Sequence, residues 1–270
     1  MKRSNYFLLA SILLLFSQKA YSQSWSGVGT GVNGTINCMV VYDSALYVGG
    51  NFDSAGGISA NSIAKWDGTK WSALGMGVRL ETNSVFSSAT VEAMCVFKGL
   101  LYVSGNFNFA GNDSVSGLTA YNGSTWTVNN NSGKWDCVSM VTNDTLMYLE
   151  GNSTVAIFNG TSIIGGQCFL CINQTFCDEK VMFCRNMALY NNSVAIGGWY
   201  LDTNSTGGLA LPTIYYPYSG PNITLGALGP GKSWNILNQN DEVSALMGDS
   251  NLLYVGLNNT VSVYNGTVLQ

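Results

Sequence analysis

A unit of about fifty residues recurs along this chain and limits what it can fold into. Leu46-Tyr47-Val48-Gly49-Gly50-Asn51-Phe52 is followed by Ile63-Ala64-Lys65-Trp66-Asp67-Gly68-Thr69-Lys70-Trp71. The pattern returns as Leu101-Tyr102-Val103-Ser104-Gly105-Asn106-Phe107 and Leu118-Thr119-Ala120-Tyr121-Asn122-Gly123-Ser124-Thr125-Trp126. Shorter copies stand at Met147-Tyr148-Leu149-Glu150-Gly151-Asn152, Val194-Ala195-Ile196-Gly197-Gly198-Trp199 and Leu253-Tyr254-Val255-Gly256. With Tyr47, Tyr102, Tyr148, Ala195 and Tyr254 as markers, the spacings are 55, 46, 47 and 59 residues. Within a unit, β-branched and aromatic residues alternate between Asx-Gly pairs, which predicts short antiparallel strands joined by hairpins. Strands are expected at 36–42, 46–52 and 63–66, with a fourth starting at Trp71, and a Gly-rich loop through Asn61. No stretch carries helical periodicity. Four strands per fifty-residue unit is the period of a propeller blade.

The chain ends support a closed ring. Trp25-Ser26-Gly27-Val28-Gly29-Thr30-Gly31 mirrors Trp71-Ser72-Ala73-Leu74-Gly75-Met76-Gly77 but has no unit before it, while the last unit stops at Gln270 without its Trp strand. Joining the two completes a fifth blade and removes an open edge. The expected fold is all-β: a single propeller of about five four-stranded blades over residues 23–270, closed by an N-terminal outer strand. A fragment of a larger propeller or tandem array is the rival reading.

Residues 1–22 read as a signal peptide: Lys2 and Arg3, an apolar run over 6–16, then small residues Ala20 and Ser22 before a cut near Gln23. Without the leader, 8 basic residues face 15 acidic ones, a net charge of -7. That balance argues against nucleic acid, whose recognition begins with a basic patch. A membrane link would come only through an uncleaved leader or a membrane-bound partner. In an oxidising compartment most of the seven cysteines become disulfides. Thirteen N-glycosylation sequons occur, at Asn33, Asn112, Asn122, Asn130, Asn143, Asn152, Asn159, Asn173, Asn191, Asn204, Asn222, Asn258 and Asn265. Chance would give about 6 for this composition. The excess suggests a eukaryotic extracellular glycoprotein, against an Asn-rich bacterial export product in which the sequons mean nothing.

These residues resemble the kelch repeat, with a Gly-Gly pair closing one strand, then an aromatic residue, then a Trp after a turn. The likeness is to a secreted subset in which Trp-x-x-Leu-Gly, Leu-Tyr-Val-Gly-Gly-x-Phe and Ile-Ala-x-Trp-x-Gly-x-x-Trp recur. Such repeats are seen in bacterial surface proteins, protist extracellular proteins and the fungal cortical polarity-marker family. The first two units match sharply. The third lacks the closing Trp, and the fourth has Trp199 where Asn is expected and an insert with Pro212, Pro217 and Pro221. The copper oxidases built on a kelch-type propeller use histidine ligands. This chain has no histidine, so the resemblance does not carry that activity over.

The same absence removes Ser-His-Asp and Cys-His triads, histidine acid–base chemistry and imidazole metal sites. Cys168, Cys171, Cys177 and Cys184 have spacing that could hold zinc, but in an exported chain they read as disulfides stapling a loop between the third and fourth blades. Cys137 and Cys184 occupy equivalent repeat positions and could pair. Cys38 and Cys95 read as buried thiols or as a pair between the first two blades. Asp178-Glu179 and Asp241-Glu242 precede inner strands, where a glycosidase would need two carboxylates across a cleft. Adjacent loop acids are more simply solvated or turn-forming. No catalytic residue, metal site or cofactor is expected.

What remains is binding. No sequon lies between residues 34 and 111, so the first blade and the start of the second form the barest sector. A partner is expected on the loops 52–61 and 78–90, with Phe52, Asp53, Asn61, Arg79 and Phe86 as contacts. The expected function is a non-enzymatic, secreted or cell-surface propeller that binds a protein or glycan. The alternatives are a carbohydrate-active enzyme using the loop carboxylates and a structural module of a longer surface protein.

Overall fold

A computed structural model describes residues 26–87, 89–128, 137–143, 145–151, 154–168, 180–190, 193–202, 213–215, 235–236, 243–249, 252–257 and 260–264. Among them every regular element is a strand, and the chain is all-β. Strands follow one another as antiparallel meanders. Sheet I contains Thr35–Tyr42, Ala45–Asn51, Ile63–Trp66 and Trp71–Ala73 in that spatial order. Sheet II repeats it with Thr90–Phe97, Leu100–Asn106, Leu118–Tyr121 and Trp126–Thr127. Sheet III contains Ser139–Thr142, Met147–Gly151, Thr154–Phe158 and Ile163–Cys168. Sheet IV contains Lys180–Tyr190, Ser193–Asp202, Thr213–Tyr215 and Asn235–Ile236. Sheet V has three described strands, Val243–Gly248, Leu253–Leu257 and Thr260–Tyr264.

Turn chemistry sets this connectivity. Asp43 and Ser44 both take positive φ (47° and 60°), as do Lys98 and Gly99 (50° and 76°), the condition for the tight type I′ hairpins that open sheets I and II. The turns between third and fourth strands are Asx turns. Asp67 Oδ1 accepts the Thr69 and Lys70 amides at 2.9 Å and the Thr69 hydroxyl at 2.7 Å. Asn122 and Asn159 do the same for residues two and three further on. Those hydrogen bonds, the Thr69 hydroxyl first, hold the Asp67 carboxyl down to about 2.

The sheets stack face to face in chain order, each first strand lying against the next sheet's first strand. Between I and II, Tyr47, Ile63, Val91, Met94, Leu101 and Val103 form one buried core. Between II and III, Cys95, Phe97, Tyr102, Met140, Met147, Leu149 and Phe158 form a second. The register puts Met39, Met94, Met140 and Met187 at one repeat position of the four first strands. Met94, Met140 and Met187 are 6–8% exposed, each buried against the sheet before it, whereas Met39 is 63% exposed because no described sheet precedes it. At the other end Met247 and Val261 are exposed in the same way (63% and 69%).

Two expectations need correction. Residues 26–31 were expected to begin an outer strand that closes the ring; the described segment is turn and coil, with one bridge at Val32 to Ala55. Its neighbour among the described strands is the two-residue Ser54–Ala55, beside which the Gly56 amide donates to the Gly31 carbonyl at 2.8 Å. Segments 52–61 and 78–90 were expected to be loops. They are hairpins: Ser54–Ala55 with Ile58–Ser59, and Val78–Thr82 with Val85–Ser87 around Asn83 and Ser84, both at positive φ.

Candidate functional site

The hairpin Val78–Thr82/Val85–Ser87 joins Phe109–Ala110 and Asp113–Ser114 in a small four-stranded sheet on the face where first strands begin and second strands end. Arg79 pairs with Phe109 and Val78 with Ala110, and the Gly111 amide donates to the Gly77 carbonyl at 2.9 Å. The preceding unit copies the joint, with Val32 opposite Ala55 and the Gly56 amide on the Gly31 carbonyl at 2.8 Å. Tryptophan locks both. Trp71 Nε1 donates to the Val28 carbonyl and Trp126 Nε1 to the Leu74 carbonyl, each at 3.1 Å.

Between the first hairpin and this small sheet lies a cleft of ≈ 620 Å³. Phe52, Asp53, Asn61 and Arg79 line it, so one cavity gathers four of the five expected contacts. Phe86 stands opposite Glu81 in the hairpin whose Ser87 also lines the cleft. Phe52 is buried and supplies an apolar floor. Arg79 Nη2 donates to the Gly111 carbonyl at 2.7 Å, and its guanidinium sits 5.6 Å from the Phe109 ring centre. Asn61 Nδ2 donates to the Met76 carbonyl at 2.8 Å. The Ser62 hydroxyl, buried at the back, donates to the Ala89 carbonyl at 2.8 Å.

Sequence reasoning missed Asn33 and Asn51 as lining residues. Asn51 recurs in the second repeat as Asn106, and that was the available signal. Asn33 had been counted only as a sequon. Its position qualifies the bare-sector argument, since Asn33 lies in the cleft wall and Asn112 in the turn of the small sheet, so two sequons border the cleft. Asn122, Asn143 and Asn159 occupy turns at the opposite end of the strands. Asn130, Asn152, Asn173, Asn191, Asn204, Asn222, Asn258 and Asn265 lie outside the described residues.

Cys38 and Cys95 stand as separate thiols, Cys38 donating to the Gly49 carbonyl and Cys95 to the Met147 sulfur at 3.2 Å. Burial pushes both up to about 12, helped by the Glu92 charge at Cys38 and by Cys137 at Cys95, so neither is a ready nucleophile. Cys137 is buried just ahead of sheet III, Cys168 ends that sheet's fourth strand, and Cys184 lies in the first strand of sheet IV opposite Gly198. Cys171 and Cys177, Asp178-Glu179 and Asp241-Glu242 lie outside the described residues. Among the described residues, no three His, Cys, Asp or Glu side chains group to hold a metal. Glu150 is pushed up to about 8 by burial, but at 1% exposed it has no opening to a substrate.

No protein-family model matches the chain, and no curated protein matches it. Solved structures of β-propeller type do match. They include "YCF48 bound to D1 peptide" at 11% identity and TM-score 0.48, covering 87% of this chain and 64% of that one. The N-terminal part of BBS1 in complex with ARL6 matches at 15% and 0.49, over 89% and 68% of the two chains. Saccharomyces cerevisiae Sqt1 matches at 11% and 0.48, over 87% and 60%. The chain thus spans less than two thirds of the length of two of the three. At these identities and scores the likeness carries no argument about activity.

Proposed function

We propose that this chain is a secreted or cell-surface β-propeller that binds a protein partner through the cleft face and catalyses no reaction. The observation that carries the reading is the gathering of Phe52, Asp53, Asn61 and Arg79 around one polar cleft on a stack of packed sheets. A scaffold of buried strands with side chains presented from its hairpins is suited to recognition. Export is proposed from the charged and apolar leader at residues 1–22, and glycosylation from the sequons.

We further propose that the five sheets form one ring. The exposed apolar ends support this. The position of Met39 is buried in sheets II, III and IV, whereas Met39 and Met247, on the first strands of the two end sheets, are each 63% exposed.

The test is capture of extracellular proteins by the purified protein, run beside a glycan array. Arg79→Ala combined with Phe86→Ala should weaken capture of the protein partner at least tenfold, while Lys70→Ala on the opposite face leaves it unchanged. Capture indifferent to the cleft-face pair overturns the reading, and glycan binding in place of protein binding replaces the partner class. N-terminal sequencing of exported material should begin near Gln23.

A further inference from the structure

The two repeats that flank the cleft differ at one position in a way the fold does not require. In the second repeat, Asn106-Phe107-Asn108 ends in a side chain fully used by the backbone. Asn108 Oδ1 accepts the Glu81 amide and Asn108 Nδ2 donates to the Glu81 carbonyl, both at 2.8 Å. The first repeat reads Asn51-Phe52-Asp53, and there the locking role has moved to the other strand. Asn33 Oδ1 accepts the amides of Asp53 at 3.1 Å and Ser54 at 3.0 Å. The Asp53 carboxylate is thereby released from structural duty. It keeps one contact, Asn33 Nδ2 donating to Oδ1 at 2.6 Å, and among the described residues its second oxygen takes no bond in the cleft it lines.

Two further oxygens join it. Asn51 spends its amide nitrogen on the Thr90 hydroxyl at 3.2 Å, and Asn61 spends its own on the Met76 carbonyl. Among the described residues both amide oxygens are left without a donor, on a lined wall of the same cleft. The only cation in that lining, Arg79, is held by the Gly111 carbonyl and the Phe109 ring. Three acceptors, one of them anionic, on a chain of net charge -7 without its leader ask for a ligand rich in donors and positively charged. A guanidinium meets that description, because its planar fork of N–H groups reaches a carboxylate and flanking carbonyls together.

We propose that the cleft takes an arginine side chain of the protein partner, with Asp53 as counter-ion and the amide oxygens of Asn51 and Asn61 completing its hydrogen bonds. This rests on the reading of the cleft face as a protein-docking surface. The guanidinium enters as a charged group and leaves as one, with no bond made or broken.

The experiment is an NMR titration of the whole exported protein with the peptide acetyl-Gly-Gly-Arg-Gly-Gly-amide and its citrulline analogue, which keeps the shape and loses the charge. The arginine peptide should shift the side-chain amide signals of Asn33, Asn51 and Asn61, and the citrulline peptide should leave them in place. Asp53→Asn should weaken the arginine peptide about tenfold, while Asp113→Asn, at the edge of the small sheet, leaves it unchanged. Higher salt should weaken the complex, as for any partly exposed ion pair. No shift with the arginine peptide, or equal affinity in Asp53→Asn, overturns the proposal, as does maltotriose saturating the same signals. If partner capture still fails on the Arg79/Phe86 double substitution while the peptide does not bind, the arginine anchor falls alone. If capture ignores that double substitution, the docking face falls with it.

Discussion

Trp126 donates its indole N–H to the carbonyl of Leu74, one repeat upstream, at 3.1 Å. Trp71 repeats the bond on Val28 at the same distance, 46 residues from Leu74 in a chain whose units are 46 to 59 residues apart. The closing Trp of the first two units is therefore a staple that ties the outer strand to the linker left by the preceding unit. Its ring also fills the space beneath a tight turn, since a Cβ on Gly56 would lie 2.4 Å from Trp71 and one on Gly111 2.9 Å from Trp126.

Replacing Trp126 by Phe should remove the hydrogen bond and strand the Leu74 carbonyl. A loss of roughly 1–3 kcal/mol in urea unfolding is expected, since the orphaned acceptor sets the cost. Trp71→Phe should cost about the same, the two being equivalent. Unchanged unfolding midpoints in both would mean that the staple is packing alone.

Glu150 gives stability a pH dependence. Burial raises its carboxyl from 4.5 to about 8, and its Oε2 has no hydrogen-bond partner. Because the folded value lies above the unfolded one, the protonated group stabilises the fold fully below pH 4.5. That contribution falls as pH rises and is gone above about 8. At about 1.4 kcal/mol per unit the swing is on the order of 5 kcal/mol. Glu150→Gln should flatten the stability profile between those limits, which urea midpoints at intervals across that range would measure. A native profile that rises with pH there would contradict the assignment.

Closing the ring should bury the exposed ends. Met39→Ala and Met247→Ala are then each expected to cost roughly 2–4 kcal/mol, comparable to Met94→Ala inside the stack. An open arc would leave each end substitution within about 0.5 kcal/mol of the native protein, as for ordinary surface changes. Chemical denaturation of the three variants decides between them.

Much of the architecture could be read from residue spacing, and the reasons are local. Tyr47, Tyr102 and Tyr148 mark the second strands because each needs alternation and a preceding turn, both visible in the chain. The Met39, Met94, Met140 and Met187 column was written at the same spacing but passed unread, since methionine is neither β-branched nor a turn former. The small sheet beside the cleft was also missed. Its hairpin lies outside the four-strand repeat, and its partner strands Phe109–Ala110 and Asp113–Ser114 are two residues long, too short for an alternation to show. The cleft residues were singled out because they fall in the sequon-free sector between residues 34 and 111. Asn33 was not, because its role depends on backbone amides twenty residues away.

The sequon count itself looks different against the turns. Asn122 Oδ1 accepts the Ser124 and Thr125 amides, Asn143 Oδ1 those of Thr145 and Leu146, and Asn159 Oδ1 those of Thr161 and Ser162. The Thr145 and Thr161 hydroxyls bind the same oxygens, as Thr69 binds Asp67 in the first unit. A hydroxyl residue two positions after Asx is what this turn selects, so these sequons arise from hairpin geometry whatever their glycosylation. Asn122→Asp should therefore preserve stability to within about 0.5 kcal/mol, since aspartate already fills that place at Asp67. Asn122→Gln, whose longer side chain cannot close the turn, should cost about 1 kcal/mol. Thermal unfolding of the two variants, together with peptide masses before and after removal of N-glycans, separates the roles. Loss of stability in both variants, with a glycan found on native Asn122, would assign the site to glycosylation instead.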